Sequence, residues 1–230
     1  MNKLLIFISI LLITSSIYSQ ESKTLDELLI KANSGDIQAQ MELGNRYRLG
    51  LKGVDINLKK AAKWYLLVAQ QGAMEGQYNV ALMYRRGYGF KQDDKKAVYW
   101  YRKAVKNGDP RSMNNLAYMY EHGIGVKKDI KMTVSLYEKS ANLGYRIAQN
   151  NIAFIYESGK YVPKNYNKAF YWYTKSAESG FALSQLNLGF LYEYGLGTPQ
   201  NKDMAMYWFR KAEAQGNEQA KKALRRLENN

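Results

Sequence analysis

Glycine recurs at a fixed interval through this chain: Gly35, Gly72, Gly108, Gly144, Gly180 and Gly216. The first gap is 37 residues and the next four are 36. A unit written five times, with a partial sixth, marks a stacked array, as periods of about 20–50 residues do. A unit this short cannot bury its own apolar face, so neighbours must share one elongated core. Function is then expected on a long surface rather than in a single catalytic cleft.

Superposing the units shows what each one requires. Small residues stand at Ala39, Gly76, Ser112, Ala148, Ser184 and Ala220. Four residues later come Leu43, Val80, Leu116, Ile152, Leu188 and Leu224, and four after those Tyr47, Tyr84, Tyr120, Tyr156 and Tyr192. An i, i+4, i+8 series is one face of a helix, termed helix A. A glycine turn follows, at Gly50 and Gly53, Gly87 and Gly89, Gly123 and Gly125, and Gly195 and Gly197. Asn57, Asp93, Asp129, Asn165 and Asn201 then read as N-caps of a helix B, because a short oxygen-bearing side chain accepts from the free N–H groups of a first turn. Helix B carries Ala61, Ala97, Thr133, Ala169 and Ala205, then Trp64, Trp100, Leu136, Trp172 and Trp208, each followed by Tyr or Phe. Helical phase puts these pairs in the core, with Trp100 and Trp172 as expected core residues. The next period glycine ends helix B as its left-handed residue.

This pattern resembles the Sel1-like repeat, a relative of the tetratricopeptide repeat. The last complete unit, LNLGFLYEYGLGTPQNKDMAMYWFRKAEAQG, is close to the family's pattern throughout. The resemblance implies an all-α, right-handed superhelical α/α solenoid of five Sel1-like repeats with capping helices at both ends. The expected layout is a signal peptide over 1–19 and an N-terminal capping helix over 20–34. Repeats follow over 35–71, 72–107, 108–143, 144–179 and 180–215, with a C-terminal capping helix over 216–230. Three departures stand out: an extra residue in the turn Gly50-Leu51-Lys52-Gly53, Tyr161 in place of a turn glycine, and Leu136 with Thr133 in the third helix B.

Lys3, the apolar run Leu4 to Thr14 and the small Ser15, Ser16 and Ser19 make a secretory leader the expectation, with cleavage after Ser19 or Ser16. An uncleaved anchor is the alternative. The expected address is periplasmic or secreted, and no later stretch has the length and apolarity to span a bilayer. The chain has no cysteine. It therefore has no lipoprotein anchor and no disulfide, and the cysteine pairs that staple some secreted relatives are missing. Thr24 and Glu27 read as a capping box for the first helix.

The formal net charge of +14 points to polyanions as one partner class. Its densest part, Arg85, Arg86, Lys91, Lys95, Lys96, Arg102, Lys103 and Lys106, is interrupted by Asp93 and Asp94 and also reads as a solvated helix face. No specific nucleic-acid motif accompanies it. A single histidine, His122, and no cysteine leave no zinc set, and no cofactor motif is present. His122 reads as a solvated turn residue, since its equivalents are Arg86, Ser158 and Tyr194. Some cysteine-rich relatives carry a β-lactamase label, but no Ser-x-x-Lys occurs here. The expectation is a protein without catalytic activity.

The informative surface is the side of helix A roughly opposite its core series at about 100° per residue. There lie Leu82, Tyr118, Phe154 and Phe190, with Asn45 in the first unit, and a second row at Tyr78, Asn114, Asn150 and Leu186. Beside them runs an asparagine ladder of Asn79, Asn115, Asn151 and Asn187. In tetratricopeptide-like solenoids the A helices line a concave groove for peptides, so the resemblance implies a protein or peptide partner held by Tyr78, Asn79, Leu82, Asn115, Tyr118, Asn151, Phe154, Asn187 and Phe190. Packing between adjacent A helices is the competing account of the same residues. A polyanion or glycan binder and a β-lactamase-type enzyme are the rival functional readings.

Overall fold

The structure is a computed structural model that describes residues 24–229. The expected leader, and both cleavage points, lie outside the described residues. Among those residues the chain forms helices and turns and no strand. It divides into two compact units, Met1–Gly108 and Asp109–Asn230.

In the first unit, α1 spans 24–33, followed by α2 (Ile37–Leu49), α3 (Leu58–Gln70), α4 (Met74–Arg86) and α5 (Asp94–Lys106). The second unit contains α6 (Pro110–His122), α7 (Ile130–Asn142), α8 (Arg146–Ser158), α9 (Tyr166–Glu178), α10 (Ala182–Tyr194), α11 (Lys202–Glu213) and α12 (Glu218–Glu228). Helices A are the even-numbered elements and helices B the odd-numbered ones from α3 to α11. Within each unit every helix A packs on its own helix B, and that helix B packs on the helix A that follows.

Each boundary has a local chemical cause. Asn57, Asp93, Asp129, Asn165 and Asn201 all cap helix B, accepting from the backbone N–H three residues on. The six period glycines all have positive φ, as do the glycines that end each helix A. The inserted residue of the first turn forces Lys52 to φ 53°, the one positive-φ non-glycine residue among those described. Gly197 is required for a second reason: a Cβ there would run into the Tyr166 carbonyl oxygen. The small residue of helix A permits close helix approach, since a Cβ on Gly76 would meet Val68 Cγ1 at 2.6 Å.

Each core is an apolar seam between A and B helices. Leu43, Val80, Ile152 and Leu188 are fully buried, and Leu116 nearly so. The expectation about tryptophan holds at Trp100, which is buried, and fails at Trp172. Tyr65, Tyr101, Tyr173 and Phe209 are the fully buried members of the aromatic pairs, whereas Trp172, expected in the core, is only half-buried. Trp100 and Trp208 are buried beside their partners, and each of Trp100, Trp172 and Trp208 makes a T-shaped contact with the tyrosine that precedes it. At the end of the second unit, Ala220, Ala223, Leu224 and Leu227 of α12 close the core against Leu186, Ala205 and Phe209.

Buried amides add a device beyond the apolar periodicity. Gln40, Gln77, Gln149 and Gln185 directly follow the small residue of helix A and are buried. Gln40, Gln149 and Gln185 donate to the carbonyls of Ala32, Ala141 and Ala177 in the preceding helices, satisfying C-terminal acceptors that a helix leaves free. The signal was available, since the four glutamines share one register.

Candidate partner-binding face

Helix A holds its opposite face by the same geometry that buries Leu116 and Ile152. In the second unit, Tyr118 on α6 is 38% exposed and Phe154 on α8 is 53% exposed. Phe190 on α10 is half-buried, packed edge-on against Phe209 at 5.0 Å and stacked on Tyr194. In the first unit, Leu82 and Asn79 on α4 are half-buried, and the Tyr78 ring lies 6.3 Å from that of Tyr101. The two α6 and α8 rings are therefore the open members of the row.

The row that begins at Tyr78 behaves differently in the second unit. Asn114, Asn150 and Leu186 are buried, because that side of helix A faces the helix A of the next repeat. Asn150 Oδ1 accepts from Ser184 Oγ at 2.9 Å, and Asn114 Oδ1 accepts from Asn151 Nδ2 at 2.9 Å. The asparagine ladder is half-buried and partly committed to this packing: Asn115 Oδ1 also receives Asn114 Nδ2 at 3.4 Å. Asn187 is half-buried near the Tyr173 hydroxyl.

Below the two open rings lies a cavity of about 220 Å³ lined by Tyr118, Glu121, His122, Tyr137, Asn151, Phe154, Lys160 and Tyr161, with Ile155. Tyr161, which replaces a turn glycine, forms one wall and donates from its hydroxyl to Glu121 Oε1 at 2.9 Å. Tyr137 donates to Glu121 Oε2 at 3.4 Å, and Lys160 Nζ lies 3.5 Å from Oε1. Burial, reinforced by the Glu121 carboxylate, pushes the Tyr137 phenol well above its ordinary range, so it stays a donor. His122, expected as a solvated turn residue, is exposed but is the last residue of α6, and its ring stacks on Tyr118 with centroids 4.2 Å apart. Neither Glu121 nor His122 was legible as a groove residue, because both positions vary among the repeats.

The same position on helix A changes sign between the units. Arg48 donates to the Tyr65 hydroxyl at 3.1 Å in the first unit, where Arg85 is its equivalent one repeat on. Glu121, Glu157 and Glu193 occupy it in the second, and Glu157 accepts from Tyr173 at 2.7 Å. Several other lysines lie over tyrosine rings. Lys60, Lys96 and Lys168 lie 4.9, 5.3 and 4.8 Å from the ring centroids of Tyr47, Tyr84 and Tyr156. Lys103 sits 5.1 Å from the Tyr99 ring. Among the described residues no cluster of three or more His, Cys, Asp or Glu could hold a metal ion, and no helix is long and apolar enough to cross a membrane.

Paired helices, glycine turns and one face repeated along each unit define an all-α solenoid, a class that presents extended surfaces. The Sel1 repeat pattern matches at residues 37–72, 75–109, 110–145, 146–181 and 182–217. The chain belongs to the Sel1 repeat family, whose repeats mediate protein interactions. It is similar to a protective antigen present in uropathogenic Escherichia coli strains that displays an SLR fold, with 36% identity and a TM-score of 0.81 over 87% of this chain. The match takes in 43% of that antigen, so this chain spans less than half its length. A Sel1 repeat protein from Oxalobacter formigenes is 34% identical, with a TM-score of 0.75, over 83% of this chain and 75% of that one. An immunity protein from Pseudomonas aeruginosa shares the fold at 18% identity and a TM-score of 0.56, over 87% and 81% of the two chains. No curated protein matches the sequence.

Proposed function

We propose that this chain is an exported, non-enzymatic scaffold that holds an extended segment of a partner protein on the helix-A face of its second unit. The observation that carries the reading is the pair Tyr118 and Phe154, both exposed in the structure and spaced by one repeat above the Glu121 cavity. Soluble proteins rarely leave such rings uncovered side by side without a use for them. The half-buried amides of Asn115 and Asn151 stand beside them, and an amide side chain both donates to and accepts from an extended backbone. Neighbouring helices pack about 8–10 Å apart, and an extended strand rises about 3.3 Å per residue. Roughly every third residue of a bound segment then meets the next repeat. A partner of the cell envelope or of a host fits the expected export.

The test is a cross-linked pull-down from the native envelope fraction, run in parallel with the natural chain and with Tyr118→Ser/Phe154→Ser as baits. A species retained by the first and lost by the second, at unchanged helical circular dichroism, supports the reading. Equal retention by both baits contradicts it.

A further inference from the structure

The chain carries its own demonstration of what the helix-A carboxylate of the second unit takes. Glu193 stands two repeats after Glu121. Its side chain is 13% exposed, and its carboxylate receives the Arg226 guanidinium, with Nη2 at 2.5 Å from Oε1 and 2.6 Å from Oε2. Arg226 Nη1 also reaches the Tyr194 hydroxyl at 3.5 Å. Arg226 on α12 is displaced from Phe154 by the same two repeats, so Arg226 stands to Glu193 as Phe154 stands to Glu121. Tyr194 likewise corresponds to His122. At the end of the second unit the chain fills this position with a guanidinium. At the Glu121 cavity it offers instead an exposed phenyl ring.

We infer that the Glu121 cavity receives the arginine side chain of an extended partner segment, an assignment that rests on the scaffold reading above. Four observations fit a guanidinium. The Glu121 side chain is 16% exposed, nearly as enclosed as Glu193, and opens into the cavity. Tyr118, Phe154, Tyr161 and His122 supply ring faces, on which a planar guanidinium stacks more readily than an ammonium. Tyr161 builds a wall found only at this repeat, since Gly89, Gly125 and Gly197 occupy the equivalent turn position elsewhere. Finally, Lys160 places an ammonium 4.6 Å from the Tyr161 ring centroid and 3.5 Å from Glu121, which shows that the site attracts a cation. That lysine is largely solvent-exposed and long on its bond to Glu121, so a partner arginine making two short bonds to the same carboxylate displaces it.

The experiment is an amide-resolved NMR titration of the full chain with N-acetyl-arginine methylamide, with the lysine and norleucine analogues as comparison probes. The arginine probe is expected to shift the Glu121, His122 and Tyr161 amides saturably, while norleucine leaves them in place. Glu121→Gln should weaken the arginine probe about tenfold, the usual worth of one charge-assisted pair. Lys160→Ala, which removes the internal competitor, should strengthen it, and Glu193→Gln should leave it unchanged. A purely structural Glu121 gives no gain in Lys160→Ala, so that variant decides the matter even if Glu121→Gln unfolds. Equal responses to arginine and norleucine, or no gain in Lys160→Ala, overturn the assignment. If partner capture is lost in Tyr118→Ser/Phe154→Ser but kept in Glu121→Gln, the scaffold reading stands and the arginine assignment falls.

Discussion

Tyr173 and Trp172 are neighbours in the chain with different work to do. The tyrosine ring is fully buried against helix A, with its hydroxyl on Glu157, whereas the tryptophan lies half-buried at the rim. Tyr173→Ala is therefore expected to cost about 3–5 kcal/mol, the usual range for an aromatic removed from a core. Trp172→Ala should cost about 1–2 kcal/mol. Urea unfolding followed by circular dichroism checks the order, and a larger loss at Trp172 would refute it. Glycines separate in the same way. Gly197 and Gly216 both have positive φ, so alanine strains either by about 1–2 kcal/mol. Only at Gly197 does the new methyl also meet a backbone carbonyl, while Gly216 faces open space. Gly197→Ala should accordingly be the more damaging variant in the same assay.

The helices themselves were largely legible from the residues. Five Asn or Asp N-caps, six terminating glycines and the i, i+4, i+8 series correspond to observed caps, turns and buried faces, because each rests on chemistry local to one or two turns of chain. Asn201→Ala should destabilise the second unit by about 1 kcal/mol through its lost cap, measurable as a lower melting temperature. What escaped the sequence depends on neighbours about 36 residues away. Periodicity placed the Asn114 and Asn150 row on an open face, but the next helix A covers it. The same long-range packing hid the Glu121 cavity, whose walls come from α6, α7, α8 and the turn holding Tyr161. Aromatic pairing was visible as a pattern, yet only the structure separates the half-buried Trp172 from Trp100 and Trp208, which are buried with their partners.

Taken as a whole, the chain stores an alkaline limit in its tyrosines. Burial, with a hydrogen bond to Glu138, pushes Tyr156 up to about 12, and burial raises Tyr65, Tyr137, Tyr173 and Tyr192 as well. An unfolded phenol titrates near about 10. Below that pH both states are protonated and these groups add no pH dependence. Above it the unfolded chain loses protons first, so stability falls as pH rises from about 10 toward 12. The melting temperature should be insensitive to these tyrosines at neutral pH and drop above about pH 10, with phenolate absorbance appearing together with unfolding. Phenolate appearing at pH 10 in a still-folded chain would contradict the burial.

Site-specific photo-crosslinking distinguishes whether the α6 and α8 rings meet the partner. A benzophenone side chain is placed at Phe154 in one protein and at Tyr171 in another; both positions are exposed, and only the first lies on the helix-A face. Irradiation in the native envelope should join the partner to the Phe154 probe and leave the Tyr171 probe uncoupled. Coupling at Tyr171 with none at Phe154 would move the binding surface to helix B and contradict the account.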